Sequence, residues 1–215
     1  MLVTSKELLL KAQEGGYAVG AFNVENMEMV QAVLAAAEEF NSPVIMQTTP
    51  STVKYAGLDY YLANVEAAAK RTKVPVVMHL DHGNSFELAM QAYRTGYTSI
   101  MIDGSHESFE DNIAVSKAVA DACHPGKVPV EAELGIMAST DEDTHDDDPE
   151  KRVLTNEDIR EFFTEPAEAK EFAERTKCDA LAVCFGTMHG IYAEPPVLDI
   201  DRVNFEKQSL MKQES

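Results

Sequence analysis

The chain has 215 residues, of which 45% are hydrophobic and 26% are charged, a balance typical of one large soluble domain or two small ones. Its 37 acidic side chains outnumber 18 basic ones, and the formal net charge of -19 argues against binding to nucleic acid or to an anionic membrane surface. The sequence shows no signal-peptide pattern, no apolar run long enough to span a membrane and no paired cysteine spacing. We therefore expect a cytoplasmic protein with buried, reduced thiols.

Apolar, β-branched segments alternate along the chain with segments of helical periodicity. The first helix is predicted over residues 2–12 and ends before Gly15 and Gly16. The predicted strands are residues 18–24, 43–48, 75–83, 98–103, 128–135 and 179–185. The predicted helices that follow are residues 26–40, 58–71, 85–94, 109–123 and 167–176. This regular alternation indicates a parallel sheet with helices packed outside it.

The third predicted strand carries the densest group of reactive side chains. His79, Asp81 and His82 stand at its carboxyl end, and Gly83 follows. A regular strand would place His79 and Asp81 on one face and His82 on the other, unless it breaks at Leu80. A carboxylate beside an imidazole suits a metal ligand with a neighbouring proton-transfer group, and a hydrogen-bonded strand end is the alternative. We interpret His79 as a core histidine.

Polar residues end nearly all of the predicted strands. They are Asn23, Thr48, Asp81 with His82, Asp103, Glu133 and His189. In a (β/α)8 barrel the carboxyl ends of all strands surround the active site, whereas an open doubly wound sheet furnishes only its switch point. No GxGxxG motif follows the first strand. The prediction is an α/β fold of the TIM (β/α)8-barrel type, incomplete, with about six of eight strands.

The stretch 136–165 interrupts this rhythm. Its residues 141–148 include six carboxylates and His145, a composition typical of a solvated loop. A divalent-cation site is an alternative, although no EF-hand spacing is present. Long loops after barrel strands also serve as lids. We therefore divide the chain into a partial barrel at residues 1–203, containing a lid-like insertion at 136–165, and a polar tail at residues 204–215.

Four segments together resemble one enzyme family. HLDHG at 79–83 is similar to the first signature of the zinc-dependent class II ketose-bisphosphate aldolases, and VEAELG at 130–135 resembles the start of their second signature. IDGSH at 102–106 and GTMHG at 186–190 also match, in the family's order. The resemblance covers about residues 2–203 and is closest to the fructose- and tagatose-bisphosphate aldolase branch. It implies a (β/α)8 barrel.

The resemblance also implies chemical roles. His82 and His189 correspond to zinc ligands, so the implied cofactor is Zn2+. Asp81 corresponds to the acid/base at the C4 hydroxyl of the sugar. Asp103 and Glu133 match positions associated with a second metal site or with movement of the metal. The implied reaction is reversible aldol cleavage of fructose 1,6-bisphosphate or tagatose 1,6-bisphosphate to dihydroxyacetone phosphate and glyceraldehyde 3-phosphate.

Substrate and partner roles follow from the same resemblance. Asn23 and Thr49 match substrate-contacting positions, and Gly190 matches a residue near a monovalent-cation and phosphate region. The implied partner is a phosphorylated ketose, and the implied assembly is a homo-oligomer, either a dimer or a tetramer.

The sequence departs from the family pattern after residue 190. No histidine follows His189 and no glycine follows Gly190, so the family's third zinc histidine and its Gly-rich phosphate segments have no counterpart. Ala138 and Ser139 replace a Gly-Gly pair, and Asp141 or Glu142 would have to replace the family's lid glutamate. The expected chain is thus a C-terminally truncated aldolase. The alternatives are an impaired homologue that keeps only metal and sugar-phosphate binding, and a chain whose missing strands and zinc ligand are supplied by a partner chain.

Overall fold

The strands of the protein form one curved parallel sheet. A computed structural model describes residues 1–136, 155–190, 192 and 194–204. Within this part of the chain each strand pairs with the strand before it, in the order β1-β2-β3-β4-β5-β6. The strands are β1 (Gly20–Asn23), β2 (Val44–Thr48), β3 (Val76–Gly83), β4 (Ser99–Ile102), β5 (Val130–Leu134) and β6 (Ala180–Val183). The predicted fold is confirmed: the chain is an α/β half-barrel, an incomplete TIM barrel.

Helices connect the strands, and those that follow β1 to β5 lie on the outer face of the sheet. They are α1 (Ser5–Gly15), α2 (Met27–Glu39), α3 (Pro50–Ala56), α4 (Leu58–Ala69), α5 (Phe86–Thr95), α6 (Phe109–Cys123), α7 (Asn156–Ile159) and α8 (Pro166–Thr176). Short 3-10 turns follow α6 at His124–Gly126 and α7 at Arg160–Phe162. Among the described residues, no helix is both long and apolar enough to cross a membrane.

Local capping chemistry sets several helix boundaries where the sequence predicts them. The Asn26 side chain accepts a hydrogen bond of 2.9 Å from the Met29 amide at the start of α2, and Ser85 caps α5 in the same way. Helix α3 was not predicted, because its seven residues are too few to show periodicity. Its only sequence signals are Thr49 at the N-cap and Pro50 at the first helical position.

The outer face of the sheet packs against the helices. Along β3, Val76, Met78 and Leu80 have no exposed surface. They belong to one apolar cluster with helix side chains that include Val65 of α4 and Val119 of α6. Burying one side chain of this size stabilises a fold by roughly 1.5–3 kcal/mol. The main core therefore lies between the sheet and the helices.

The inner face of the sheet is apolar at one end and polar at the other. Val77 and Ile45 pack against Leu8 of α1, so this helix closes the amino end of the inner face. Alternate residues of a strand share a face, and His79 and Asp81 therefore follow Val77 on the inner side. This change from apolar to polar residues along the strands creates a polar site at their carboxyl ends.

The two outermost strands are less covered than the central ones. Each of β1 and β6 pairs with one neighbour within the described residues. All four residues of β1 are exposed, including Phe22 with 50% of its surface accessible, whereas all four residues of β4 are buried. The half-barrel is thus open on the side between β6 and β1, where a complete barrel of eight strands would be closed.

Several predictions fall outside the described part of the chain. They are the acidic run at 141–148 with His145, the larger part of the lid-like insertion at 137–154, and the tail from residue 205 onward. The last part of the predicted insertion, residues 155–165, is described and contains α7 with its 3-10 turn. Residues 200–204 are helical.

Candidate active site

The polar residues predicted at the strand ends, except Thr48, come together at the carboxyl end of the sheet. Thr48 instead faces the outer core, where its hydroxyl lies 2.9 Å from that of Tyr97. Asn23 ends β1, and Asp81 and His82 lie near the end of β3. Asp103 directly follows β4, and Glu133 lies in β5. His189 follows β6, and its ring centroid lies 5.4 Å from that of His82. The structure therefore brings residues from five strands or their loops to one place, as the barrel prediction requires.

A local break in β3 turns His82 toward this site. His82 adopts a positive φ of 47°, and the pairing of β3 with β4 shifts register between Leu80 and Gly83. Because of this irregularity, the side chains after Leu80 no longer alternate strictly between the two faces of the sheet. His82 Nε2 consequently lies 4.0 Å from Asp81 Oδ1. A left-handed backbone at a bulky residue is strained, and such strain is concentrated at functional sites.

The register shift in β3 also requires a glycine at position 83. A substitution of Gly83 therefore tests whether this local geometry is needed. A Cβ atom at this position would collide with the backbone oxygen of Met101 and lie 2.8 Å from Leu80 Cδ2. We expect Gly83→Ala to lower the free energy of unfolding by about 2–4 kcal/mol, because neither neighbour can move without disturbing the sheet. Gly16→Ala is the matched control, since Gly16 has a φ of 66° but no atom near the added Cβ.

Urea denaturation of both variants measures the difference. The control is expected to lose only about 1 kcal/mol, the strain of a left-handed alanine. Equal losses in the two variants would contradict the steric role of Gly83.

Asp103 holds the imidazole of His82. Its Oδ2 atom lies 2.8 Å from His82 Nδ1, and its Oδ1 atom accepts hydrogen bonds from the amide and hydroxyl of Ser105. The bond to Asp103 raises the pKa of His82 to about 9, against the opposing effect of burial. Burial would raise the pKa of Asp103, but the bonds from His82 and Ser105 outweigh it and lower that pKa to about 2.

His82, Asp103 and Glu133 form a cluster that can hold a metal ion. One ligand atom of each lies within 4.8 Å of the others. Glu133 is 4% exposed, and its Oε2 atom lies 3.6 Å from His82 Nδ1. Imidazole nitrogens and carboxylate oxygens are common zinc ligands. The ring of His189 also contacts that of His82 and is therefore close to this cluster. Where Asp103 keeps its bond to His82 Nδ1, a metal would bind at Nε2, and Asp103 would orient the ring instead of ligating the metal. The donor set therefore fits Zn2+.

Asp81 is oriented by a residue that sequence reasoning missed. The Gln47 side-chain amide donates to Asp81 Oδ2 at 2.7 Å and to Asn23 Oδ1 at 2.9 Å. Burial raises the pKa of Asp81, while the positive charge of His82 and the bonds from Asn23 and Gln47 oppose that rise. The available signal was a glutamine inside the otherwise apolar strand β2, at an inward-facing position.

A second missed residue supports Glu133 from outside the barrel. Asn112 lies in α6, is 2% exposed, and donates a hydrogen bond of 2.9 Å from its side chain to the backbone oxygen of Glu133. A buried asparagine in an apolar helix face is the corresponding signal, because a buried amide requires a partner.

The other candidate residues have simpler surroundings. Thr49 caps α3, and its hydroxyl lies 2.9 Å from that of Ser51. Gly190 has a φ of 89° and directly follows His189. His79 is buried, as interpreted from the sequence, and burial lowers its pKa to about 3. His124 forms a hydrogen bond with Asp179, at the amino end of β6 and away from the site.

Comparison with known proteins identifies the family. Residues 3–212 match the sequence profile of a family described as fructose-bisphosphate aldolase class-II. The chain belongs to the class II fructose-bisphosphate aldolase family. The family membership predicted from the sequence is confirmed. The motifs on which that prediction was based include His82, Asp103 and Glu133, the three residues that could hold a metal ion.

Solved structures agree with this assignment. The YdjI aldolase from Escherichia coli K12 is 34% identical, with a TM-score of 0.82, over 98% of this chain and 70% of that one. A suggested fructose-1,6-bisphosphate aldolase from Coccidioides immitis is 28% identical, with a TM-score of 0.82, over 96% of this chain and 69% of that one. A Campylobacter jejuni fructose-bisphosphate aldolase shares the fold, with 24% identity and a TM-score of 0.74 over 99% of this chain and 66% of that one.

Proposed function

We propose that this chain is a zinc-dependent ketose-bisphosphate aldolase. The reaction is the reversible cleavage of fructose 1,6-bisphosphate, or of tagatose 1,6-bisphosphate, to dihydroxyacetone phosphate and glyceraldehyde 3-phosphate. The observation that carries the proposal is the convergence of Asp81 with the cluster of His82, Asp103 and Glu133 at the carboxyl end of the sheet. Membership of the class II aldolase family supports the same reaction class.

Asp81 is the acid/base of the proposed reaction. In the cleavage direction its carboxylate takes the proton of the C4 hydroxyl, so that the C4 oxygen forms the aldehyde as the C3–C4 bond breaks. The electron pair of that bond remains on the three-carbon fragment as an enediolate, which becomes dihydroxyacetone phosphate when its former C3 carbon takes up a proton. Gln47 fixes the Oδ2 atom of Asp81, which leaves Oδ1 on the side of His82.

The metal ligands in this proposal are His82 and His189, with Asp103 and Glu133 at the neighbouring carboxylate positions. Zinc, when bound, supplies a Lewis acid that stabilises the negative charge on the ketose oxygens. Asp103 accepts the Nδ1 proton of His82 and so fixes the ring and its tautomer. Glu133 adds a second buried negative charge beside His82.

Substrate positions are assigned to the rim of the site. We propose that Asn23 and Thr49 contact the phosphorylated ketose and that Gly190 lies near a phosphate and a monovalent cation. We further propose that the protein works as a homo-oligomer, a dimer or a tetramer, in the cytoplasm. Three free cysteines, Cys123, Cys178 and Cys184, are in keeping with a reducing compartment.

A second candidate function is binding without turnover. The chain spans 70% of the YdjI structure, and the half-barrel is open between β6 and β1. The open side, seen within the described residues, favours as the alternative a homologue that binds the metal and a sugar phosphate and releases the sugar phosphate unchanged.

Aldol cleavage by the purified 215-residue chain separates the two candidates. We expect formation of dihydroxyacetone phosphate from fructose or tagatose 1,6-bisphosphate with added Zn2+, and complete loss after treatment with a chelator. Zinc binding without product would support the binding-only candidate. The absence of both binding and product would contradict both candidates.

A further inference from the structure

The residues that follow β6 carry one of the proposed zinc ligands. We refer to residues 184–190, 192 and 194–198 as the His189 segment. The pairing of β6 with β5 ends at Val183, and His189 is exposed. The pairing of these two strands therefore cannot set the position of His189, which must depend on contacts made by its own segment.

An apolar cluster holds the amino-terminal side of His189. Met188 is 6% exposed and belongs to one cluster with Cys184 and with Ile159 of α7. Tyr192 packs against this cluster. Its hydroxyl accepts a hydrogen bond of 2.8 Å from the Met188 amide and donates one of 2.9 Å to the Met188 backbone oxygen. The backbone directly before His189 is thus held by the cluster and by Tyr192.

Asn156 of α7 holds the carboxyl-terminal side of His189. Its side-chain Nδ2 donates a hydrogen bond of 3.1 Å to the backbone oxygen of Pro195, and its Oδ1 accepts one of 3.0 Å from the Val197 amide. Its backbone N–H donates to Glu194 Oε1 at 2.8 Å. One residue of α7 therefore bonds to three residues of the His189 segment.

The start of α7 keeps Asn156 in place. With four residues, α7 is too short to be a stable helix by itself. Thr155 and Asp158 form a capping box, in which the side chain of each accepts a hydrogen bond from the backbone amide of the other. Ile159 is 2% exposed and packs in the apolar cluster. These contacts fix the helix and, with it, the direction of the Asn156 side chain.

The hydrogen bonds of Asn156 act on geometry more than on overall stability. They are exposed, and an exposed hydrogen bond contributes little to stability because water replaces it when it breaks. Contacts around a metal ligand, in contrast, orient that ligand and increase its contribution to metal affinity. The ring centroid of His189 lies 5.4 Å from that of His82, so a displaced segment would move a nitrogen ligand away from the metal.

We propose that Asn156 is a positioning residue, which fixes the carboxyl-terminal side of the His189 segment and thereby strengthens metal binding by His189. The proposal rests on the proposed function in that it takes His189 as a zinc ligand. Asn156 acts through this ligand and does not contact the metal itself.

Zinc affinity, measured by competition with a chromophoric chelator, tests this role. The proteins compared are the wild-type chain, Asn156→Ala, His189→Ala and the double variant Asn156→Ala/His189→Ala. We expect Asn156→Ala to lower zinc affinity about tenfold, a typical loss when a group that orients a ligand is removed. His189→Ala should lower it further. The double variant should bind zinc as tightly as His189→Ala, because an orienting group has no effect once its ligand is gone.

Lys6→Ala is the matched control. The Lys6 side chain also joins segments that are far apart in the sequence through an exposed hydrogen bond, of 2.8 Å to Asp179 Oδ1. Asp179 lies at the amino end of β6, opposite to the end that leads to His189. The control should keep the zinc affinity of the wild-type chain.

Hydrogen exchange in the metal-free proteins tests the contact without zinc. In Asn156→Ala we expect exchange about tenfold faster in the peptides that contain Met188 and Val197, and unchanged exchange in β3 and β4. Lys6→Ala should leave the exchange of these peptides unchanged. Wild-type exchange in Asn156→Ala, or faster exchange in every element, would overturn the local restraint without reference to any metal.

The zinc measurements separate the positioning role from the proposed function. Unchanged zinc affinity in Asn156→Ala, or a double variant that binds zinc a further tenfold more weakly than His189→Ala, would overturn the positioning role and leave the proposed function intact. Zinc affinity that does not fall in His189→Ala would overturn His189 as a ligand. A wild-type chain that binds no zinc would overturn the proposed metal centre and, with it, the positioning role.

Discussion

Replacing Asp81 with asparagine is expected to lower kcat for aldol cleavage by about 10³-fold, with little change in zinc affinity. Asparagine has the same shape and can still accept the hydrogen bond from Gln47, so the local geometry is kept. What it lacks is a carboxylate able to take the C4 proton. Asp81 is not among the three residues that could hold the metal ion, so we expect metal binding to persist without its charge.

Steady-state kinetics and competition with a chromophoric chelator measure the two quantities in the same preparation. Asp121→Asn is the matched control, since Asp121 is an exposed aspartate in α6 that pairs with Lys117 on the surface. The control should retain wild-type kcat and zinc affinity. Near-wild-type kcat in Asp81→Asn would remove the acid/base role from this residue.

Zinc affinity is expected to rise about tenfold per pH unit between pH 7 and about pH 9, because zinc must displace a proton from His82. Asp103 raises the pKa of His82 to about 9, so this imidazole carries a proton in the metal-free chain at neutral pH. Only a neutral imidazole binds the metal. Above that range the contribution of His82 should level off. Calorimetry at pH 7 in buffers of different ionisation enthalpy should detect the released proton.

Asp103→Asn provides the comparison. Without the carboxylate, the pKa of His82 should fall toward its ordinary value of about 6.5, and the dependence on pH between 7 and 9 should weaken. His82→Ala should abolish tight binding at every pH. A wild-type affinity that is flat between pH 7 and 9 would contradict the raised pKa of His82, whereas tight zinc binding by His82→Ala would contradict its assignment as a ligand.

The same pair predicts how the stability of the metal-free fold varies with pH. The folded-state pKa of His82 lies above its ordinary value, so its contact with Asp103 stabilises the fold fully below about pH 6.5. That contribution is lost as the pH rises through about 9. In the zinc-bound protein His82 would be neutral at all these pH values, so we expect this pH-dependent decrease in stability to be absent.

The positions of the strands could be predicted from the sequence because apolar, β-branched segments alternate regularly with segments of helical periodicity. All six predicted strands are present, and the polar residues at their ends converge as the parallel arrangement requires, except Thr48, which is buried in the outer core. The helices with a long periodic face and a capping residue, such as α2 after Asn26, were also predicted close to their observed bounds. The central strands β3 and β4 are largely buried and therefore appear in the sequence as nearly continuous apolar runs.

The details of the site were less accessible from sequence. Alternation left the side of His82 open, and a bulge in β3, supported by Gly83, decides it. Gln47 and Asn112 act through contacts with residues far away in sequence, with Asp81 and with Glu133. Neither belongs to a motif, so only the folded geometry reveals what each touches. Short sequence patterns predict where helices and strands lie. Which side chains meet across neighbouring strands depends on the strand register, which these patterns do not give.

The order of strands in the sheet has a consequence for how the protein is made. Since each strand pairs with the one before it, the sheet can grow in the direction of synthesis, one neighbour at a time. His82, Asp103 and Glu133 are all encoded before residue 136, whereas His189 follows more than 50 residues later. A chain truncated after residue 136 would still contain the sequence of five strands and the three side chains that could hold a metal ion. In the proposed function, metal binding would therefore not have to await β6 and His189.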